Sequence, residues 1–413
     1  MENIDTRLSV FGELTRRPRP NIVPTYLNPC DQSLHWKVLQ NGSVSNDTAH
    51  WLSGRSYHQS IKMRMEGSGT VTTIKTILPQ VQDLSKTHMM IRFRILQGSD
   101  KSSAESIKAI KFYVITNNSN YGYWRIYRKQ STWKTDGWMT ASFPSKFYSG
   151  RGTVNWASIS EMNIRVESFS QSATPSVIFD NIMFFREPSH AYYAMTFDDG
   201  VSSYDDITGA YEAAAYLASY GLRATFYIIP HYIESGYSKY LTISQLKDMQ
   251  EMGHLIASHT YSHPVADWST NMTDEEMADE LVRCIAWLCE KGFSAGARLL
   301  AVPGGRWKPS DVNLYTRYLH GFRNSYSPGG PNLMTLYDPT RAYCAAWDNA
   351  DTADTALEDL QTYKGICVTG WHYFGGKHET YSKWQSHVDK LASAQNTGKV
   401  QVVTTADLLN ALN

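Results

Sequence analysis

The chain has 413 residues, enough for two domains that each bury a core. Its 39 basic and 39 acidic residues cancel, which argues against nucleic acid or an anionic membrane as a main partner. Aromatic residues reach 13%, with 12 Trp and 26 Tyr, a composition that suits either large β-rich cores or rings that stack on sugars.

The first 24 residues, with the basic stretch TRRPRPNIVP, read as an extended arm. They lack the apolar segment of roughly 7–15 residues that marks a signal peptide. No apolar run in the chain approaches the ~20 residues of a membrane span. The cysteines Cys30, Cys284, Cys289, Cys344 and Cys367 are odd in number and scattered, so they define neither a disulfide framework nor a CxxC metal signature. Cys284 and Cys289 are expected to pack as small apolar groups of one helix.

Residues 25–187 read as β. In MIRFRIL, Ile91, Phe93 and Ile95 alternate with Arg92 and Arg94, a period of two. IKFYVIT, YWRIYR and MNIRVES repeat the pattern between loops rich in Ser, Asn, Gly and Lys. Strands at this spacing without helical periodicity predict a β-sandwich. The last, SVIFDNIMFFREP, sets Asp180 and Asn181 inside an apolar run. With DGWMTASFP upstream, it resembles the jelly-roll carbohydrate-binding modules, over about half of this region.

The pattern changes near Glu187. From residue 190 onward strands alternate with helices. AYYAMTF stays apolar from Tyr192 to Phe197 apart from Thr196, as a strand buried on both faces does. A helix closed by Gly221 follows, then the strand RATFYIIP. A helix with a Thr242/Gln245 capping box stops at Gly253, and HLIASH is the next strand. A further helix opens on a Thr273/Glu276 capping box. RLLAVPGG and GICVTGWH read as strands, and TADLLNALN as a closing helix. Repeated βα units predict a parallel sheet closed into a distorted barrel, with its site at the C-terminal strand ends.

Those ends carry chemistry. The first strand finishes in two adjacent carboxylates, Asp198 and Asp199, which repel and lose solvation unless something offsets the cost. Asp199 as a helix N-cap is one explanation. HLIAS ends in HTYSHP, where His259 and His263 stand four apart, a spacing that brings two imidazoles to one side of a helical turn. Alone, such a pair is as compatible with a structural role as with a metal. Two imidazoles and one carboxylate together make three N/O ligands with a fourth position open, and the second carboxylate is then a base beside the cation. His372 at the end of a late strand is a candidate general acid. Pro303, Gly304 and Gly305 form a turn whose N–H groups suit an oxyanion, or simply a tight turn. A metallopeptidase reading of the histidine pair fails because Thr260, not Glu, follows His259.

TFDDG, H-x-x-x-H, AVPGG and the late His372 occur in the order found in the polysaccharide deacetylase family, carbohydrate esterase family 4, which residues 190–413 resemble. The resemblance implies a distorted (β/α) barrel and metal-dependent removal of N-acetyl, or O-acetyl, groups from a polysaccharide. It makes Asp199, His259 and His263 the ligands of Zn2+, with Co2+ or Ni2+ as alternatives, Asp198 the general base and His372 the general acid. Gly304 becomes the oxyanion donor, with Trp347 and Trp371 beside the substrate. Two positions depart from the family pattern. An Arg that orients the base is replaced by Ala301, for which Arg306 or Arg298 are the candidate substitutes, and Gly370 stands where Leu is usual. For the fourth motif of the family, AAWDNAD offers Trp347, Asp348 and Asp351, of which Asp348 is taken. The implied partner is an acetylated polysaccharide outside the cell, on a secreted, cell-surface or virion-associated protein, with the β-sandwich as a route to oligomers. The competing classes are a sugar-binding protein and a virion tail or adhesion component, either one carrying a catalytically weak or inactive barrel.

Overall fold

The computed structural model describes residues 25–50, 59–66, 69–96, 106–116, 120–127, 138–144, 149–169, 174–187, 190–307, 311–324, 341–343 and 346–411. The expected arm, residues 1–24, lies outside them. The chain separates into two units whose sequence boundary falls at Glu187 and Pro188.

The first unit consists of β1 (Tyr26–Asn28), β2 (Lys37–Gln40), β3 (Gly42–Asp47), β4 (Ser60–Met65), β5 (Val71–Gln82), β6 (Thr87–Leu96), β7 (Ile107–Ile115), β8 (Tyr121–Tyr127), β9 (Trp138–Pro144), β10 (Ser149–Arg151), β11 (Ile159–Ser168) and β12 (Ser176–Arg186). They form two antiparallel sheets. One has the order β3-β4-β12-β6-β9, with β1 also paired to β12; the other runs β10-β8-β7-β11-β5-β2. The period of two does what it predicts. Ile91, Phe93 and Ile95 from one sheet share a core with Ile110, Phe112 and Val114 from the other. Phe112 and Phe179 meet edge to face across the two sheets, with centroids 6.0 Å apart. Asp180 and Asn181 sit at a register shift of β12 against β6, and both are fully buried. Ser60 donates to Asp180 Oδ1 at 3.3 Å. A bulge thus accommodates the polar pair within an apolar strand.

The second unit is a parallel sheet with helices. Its strands are β13 (Ala191–Phe197), β14 (Thr225–Ile228), β15 (Leu255–Ser258), β16 (Gly296–Ala301), β17 (Gly321–Asn324), β18 (Arg341–Tyr343), β19 (Ala346–Trp347), β20 (Gly365–Trp371) and β21 (Gln401–Val402). The order is β18-β17-β16-β15-β14-β13-β20-β19, with β21 against β13. β18 and β19 end the sheet, and among the described residues no pairing joins them, so the described strands form a parallel-sheet half-barrel. β13 is buried on both faces, as its apolar run predicts. Met195 and Phe197 enter one cluster, where Phe197 stacks on Phe226 at 4.7 Å, and Ala194 packs with Ile366 and Val368 on the other face.

The helices are α1 (Ala210–Ser219), α2 (Pro230–Glu234), α3 (Ile243–Glu251), α4 (Asp274–Glu290), α5 (Asp311–Tyr318), α6 (Ala350–Tyr363), α7 (Tyr381–Asn396) and α8 (Thr405–Ala411). Both expected capping boxes form, Thr242 with Gln245 on α3 and Thr273 with Glu276 on α4. Such a cap is worth about 1 kcal/mol. α4 turns Met277, Leu281, Ile285 and Leu288 into the core, together with the buried Cys284, while Cys289 is half-buried.

Candidate active site

β13 and β20 run in parallel register, Phe197 beside Trp371, and the Asp198 N–H continues the ladder by donating to the Trp371 carbonyl at 2.8 Å. The chain then turns sharply, because Asp199 and Gly200 both adopt left-handed backbone (φ 69° and 67°). For Asp199 this is a strained conformation, costing on the order of 1 kcal/mol, which short polar residues tolerate best. The turn separates the two carboxylates. Asp198 is almost fully buried, whereas about a quarter of the Asp199 side chain remains accessible.

His259 follows β15 directly. Its Nδ1 donates to the Ala301 carbonyl at 2.8 Å, which orients the ring so that Nε2 faces Asp198 and Asp199. His263 is not on a helical turn. Thr260 and His263 have φ of 64° and 56°, and the His263 N–H donates to Thr260 Oγ1 at 3.1 Å, so a tight loop rather than a helix brings the two rings to 4.5 Å. His259 Nε2 lies 3.4 Å and His263 Nε2 3.8 Å from Asp199 Oδ1. Asp199 Oδ1 is buried and makes no hydrogen bond. Three donor atoms within 4.8 Å of one another, with an orphaned carboxylate oxygen among them, fit a divalent cation. Burial alone would raise the Asp199 pKa, but the imidazoles of His259, His372 and His263 outweigh it and hold the carboxyl well below the usual range. Burial, reinforced by His259, lowers His263 to about 4, so near neutrality its ring is uncharged.

Asp198 forms a buried ion pair with Arg323, each side chain about 2–3% exposed. Arg323 lies on β17, whose register sets it beside Ala301 of β16. The guanidinium expected at position 301 therefore arrives from the adjacent strand. Its carbon lies 5.1 Å from the Tyr227 ring and 5.0 Å from the Trp347 ring. This corrects both candidate substitutes. Arg306 is exposed and donates to the Ala266 carbonyl at 3.3 Å, and Arg298 donates to the Tyr318 carbonyl at 3.0 Å. Sequence reasoning missed Arg323 because GFRN is short; a buried Arg within a strand was the available signal.

The late histidine has its acid. His372 Nδ1 lies 2.6 Å from Asp348 Oδ2, and the His372 N–H donates to Asp348 Oδ1 at 2.8 Å. Burial pushes the His372 pKa down, but the bond to Asp348 and the charges of Asp348, Asp198 and Asp199 outweigh it and raise it. Asp351 instead sits exposed at the start of α6, 3.6 Å from Lys383. Trp347 meets His372 edge to face at 4.9 Å. Trp371 is a correction. It is fully buried, its indole N–H donates to Thr369 Oγ1 at 3.2 Å, and it packs on Phe374 and His387, so it is a core residue and not a substrate contact. Alternation explains the difference, since neighbouring strand residues face opposite ways. Gly304 lies exposed in the turn after β16 with φ 57°. A Cβ there would meet Val265 Cγ2 at 2.5 Å, so glycine avoids both that close approach and the cost of a left-handed backbone.

A parallel βα sheet with paired strand-end acids, two histidines and a late histidine defines the class that the motifs imply, and residues 186–320 match the family model described as polysaccharide deacetylase. Residues 186–320 thus resemble a polysaccharide deacetylase domain. The match ends before Arg323, Asp348 and His372. Among curated proteins, YxkH of Bacillus subtilis (strain 168), whose own assignment as a polysaccharide deacetylase is provisional, is 32% identical over 123 residues, which cover 30% of this chain and 40% of YxkH. The chain thus spans less than half of that relative. Among solved structures, a family 4 carbohydrate esterase from Bacillus anthracis aligns with 55% of this chain and 86% of its own, at 16% identity and a TM-score of 0.37. A family 11 carbohydrate-binding module of a cellulosomal cellulase from Clostridium thermocellum aligns with 41% of this chain and 99% of its own, at 14% identity and a TM-score of 0.30.

Proposed function

We propose that the second unit is a metal-dependent deacetylase of an acetylated polysaccharide, acting on N-acetyl or O-acetyl groups, and that Asp199, His259 and His263 hold Zn2+. One observation carries this reading: the orphaned Asp199 oxygen faces two imidazole Nε2 atoms while the adjacent Asp198 is paired with Arg323. Two carboxylates with such different surroundings suit two roles. The cation, when bound, supplies Lewis-acid polarisation of the acetyl carbonyl and eases deprotonation of water.

The rest falls to the chain's own groups. Asp198, held by Arg323, takes a proton from water as its oxygen bonds to the carbonyl carbon. The Gly304 N–H donates to the oxyanion, a contact worth about 2.7–4 kcal/mol. As the carbon–nitrogen bond breaks, His372 gives its Nε2 proton to the departing nitrogen, yielding acetate and a free amine, a step worth typically about 10²–10⁴-fold. For an O-acetyl group the same proton goes to the alkoxide. Asp348 keeps the imidazolium oriented. Trp347, against both His372 and Arg323, is the aromatic wall we assign to the sugar.

The test is acetate release from a panel of acetylated glycans before chelation, after it, and with zinc restored. Release that disappears and returns is expected. A zinc-loaded chain that releases no acetate from any of them would overturn the reading.

A further inference from the structure

Asp348 serves two imidazoles. His378 Nδ1 lies 2.9 Å from the same Oδ2 that His372 Nδ1 approaches at 2.6 Å. Both rings meet a carboxylate oxygen that only accepts, so each directs an N–H at it. His378 comes from the loop after β20, and that loop is anchored. Glu379 accepts from the Ala350 N–H at 3.1 Å, the Glu379 carbonyl accepts from the Gly375 N–H at 3.0 Å, and Tyr373 packs edge-on against His378 at 4.3 Å. Asp348 has left-handed backbone, φ 43°, so its carboxylate is set by its own turn as well as by its donors. The side chains of Asp348, His372 and His378 are all mostly buried, at 11%, 21% and 14% exposed.

Resting on the deacetylase reading, we propose that His378 is a positioning residue for the general acid: it fixes the Asp348 carboxylate and withdraws electron density from it, which keeps His372 aligned and readier to release its proton. A carboxylate that accepts three hydrogen bonds is a weaker base than one that accepts two. It therefore holds the His372 proton less tightly, and a looser proton is a better acid for a departing amine. The titratable and charged groups around His372 are Asp348 and His378 on this side, Asp198 and Asp199 at the end of β13, His263 beside Asp199, and Arg323 paired to Asp198. His378 meets His372 through Asp348 and also ring to ring, with centroids 5.2 Å apart, and touches neither the base nor the cation ligands among the described contacts.

The test uses the zinc-loaded full chain and two probes that need no glycan. p-Nitrophenyl acetate releases a phenolate that leaves without a proton, whereas p-nitroacetanilide releases an amine that requires one. His378→Ala should slow the anilide roughly fivefold, the scale of one net hydrogen bond, and change the ester less than twofold. The alkaline limb of the anilide profile and the His372 midpoint, followed by ¹⁵N-histidine NMR, should both move to higher pH. His378→Asn, which keeps a donor near Nδ1, should restore rate and midpoint. Equal losses on both probes, or an unmoved His372 midpoint, would overturn the proposal. If the wild type hydrolyses neither probe and no glycan, the deacetylase reading fails, and the NMR midpoint still decides whether His378 acts on His372.

Discussion

The two sides of the site are built differently. On one side, Asp198 with Asp199 and His259 with His263 come from two short stretches, each at the end of a buried strand. On the other, Asp348, His372 and His378 come from a turn, a strand end and a loop. Arg323 reaches Asp198 from β17, 125 residues along the chain. Groups that share one cation must lie within a few ångströms, and a local loop with fixed spacing achieves that. Groups that tune a neighbour's proton affinity need only reach it, so they come from whichever element the sheet places alongside.

The comparison is broken most sharply at Asp198. Asp198→Asn should retain zinc and lose on the order of 10²–10⁴-fold in turnover. His259→Ala should lose the metal itself. Metal content measured beside acetate release separates the two outcomes, and an active Asp198→Asn enzyme would sink the assignment of the base.

Arg323→Met leaves Asp198 buried without its cation, which should cost about 3–5 kcal/mol of stability and most of the turnover. Unfolding midpoints and turnover should both recover in part when Ala301→Arg is added, since the two positions are register partners. No recovery would mean that position 301 cannot deliver the guanidinium to Asp198.

A smaller effect separates the helices from the site. Buried His254 accepts from the Ala224 N–H at 3.1 Å and is hydrogen-bonded to the Ala214 carbonyl at 3.0 Å, so it is bound as the neutral ring. Burial lowers its pKa from 6.5 to about 4. Its stabilisation is therefore complete above pH 6.5 and lost as the pH falls towards 4, by up to about 3 kcal/mol. Urea midpoints between pH 7 and 4, compared with His254→Asn, check this: the variant should show the shallower decline. The smallest change is Thr273→Ala at the start of α4. It should cost about 1 kcal/mol by thermal unfolding and leave catalysis untouched.

Much of the fold was legible. The period of two in β6, β7 and β11 and the two capping boxes are local patterns with local causes. The two-faced burial of β13 followed from an unbroken apolar run. The bulge at Asp180 and Asn181 and the loop geometry of His263 were not legible, because each depends on register or on a backbone conformation that composition does not encode. Trp371 looked like a site residue because it adjoins His372 in sequence, but strand alternation turned it inward.

What the sequence by itself determined is the set of groups that chain continuity brings together: the acid pair, the histidine pair, the glycine turn and the helix starts. Only the tertiary structure decided which arginine meets Asp198, which carboxylate meets His372, and that His378 shares it. Those contacts depend on strand order and register, and parallel strands that are neighbours in the sheet can be distant in the chain.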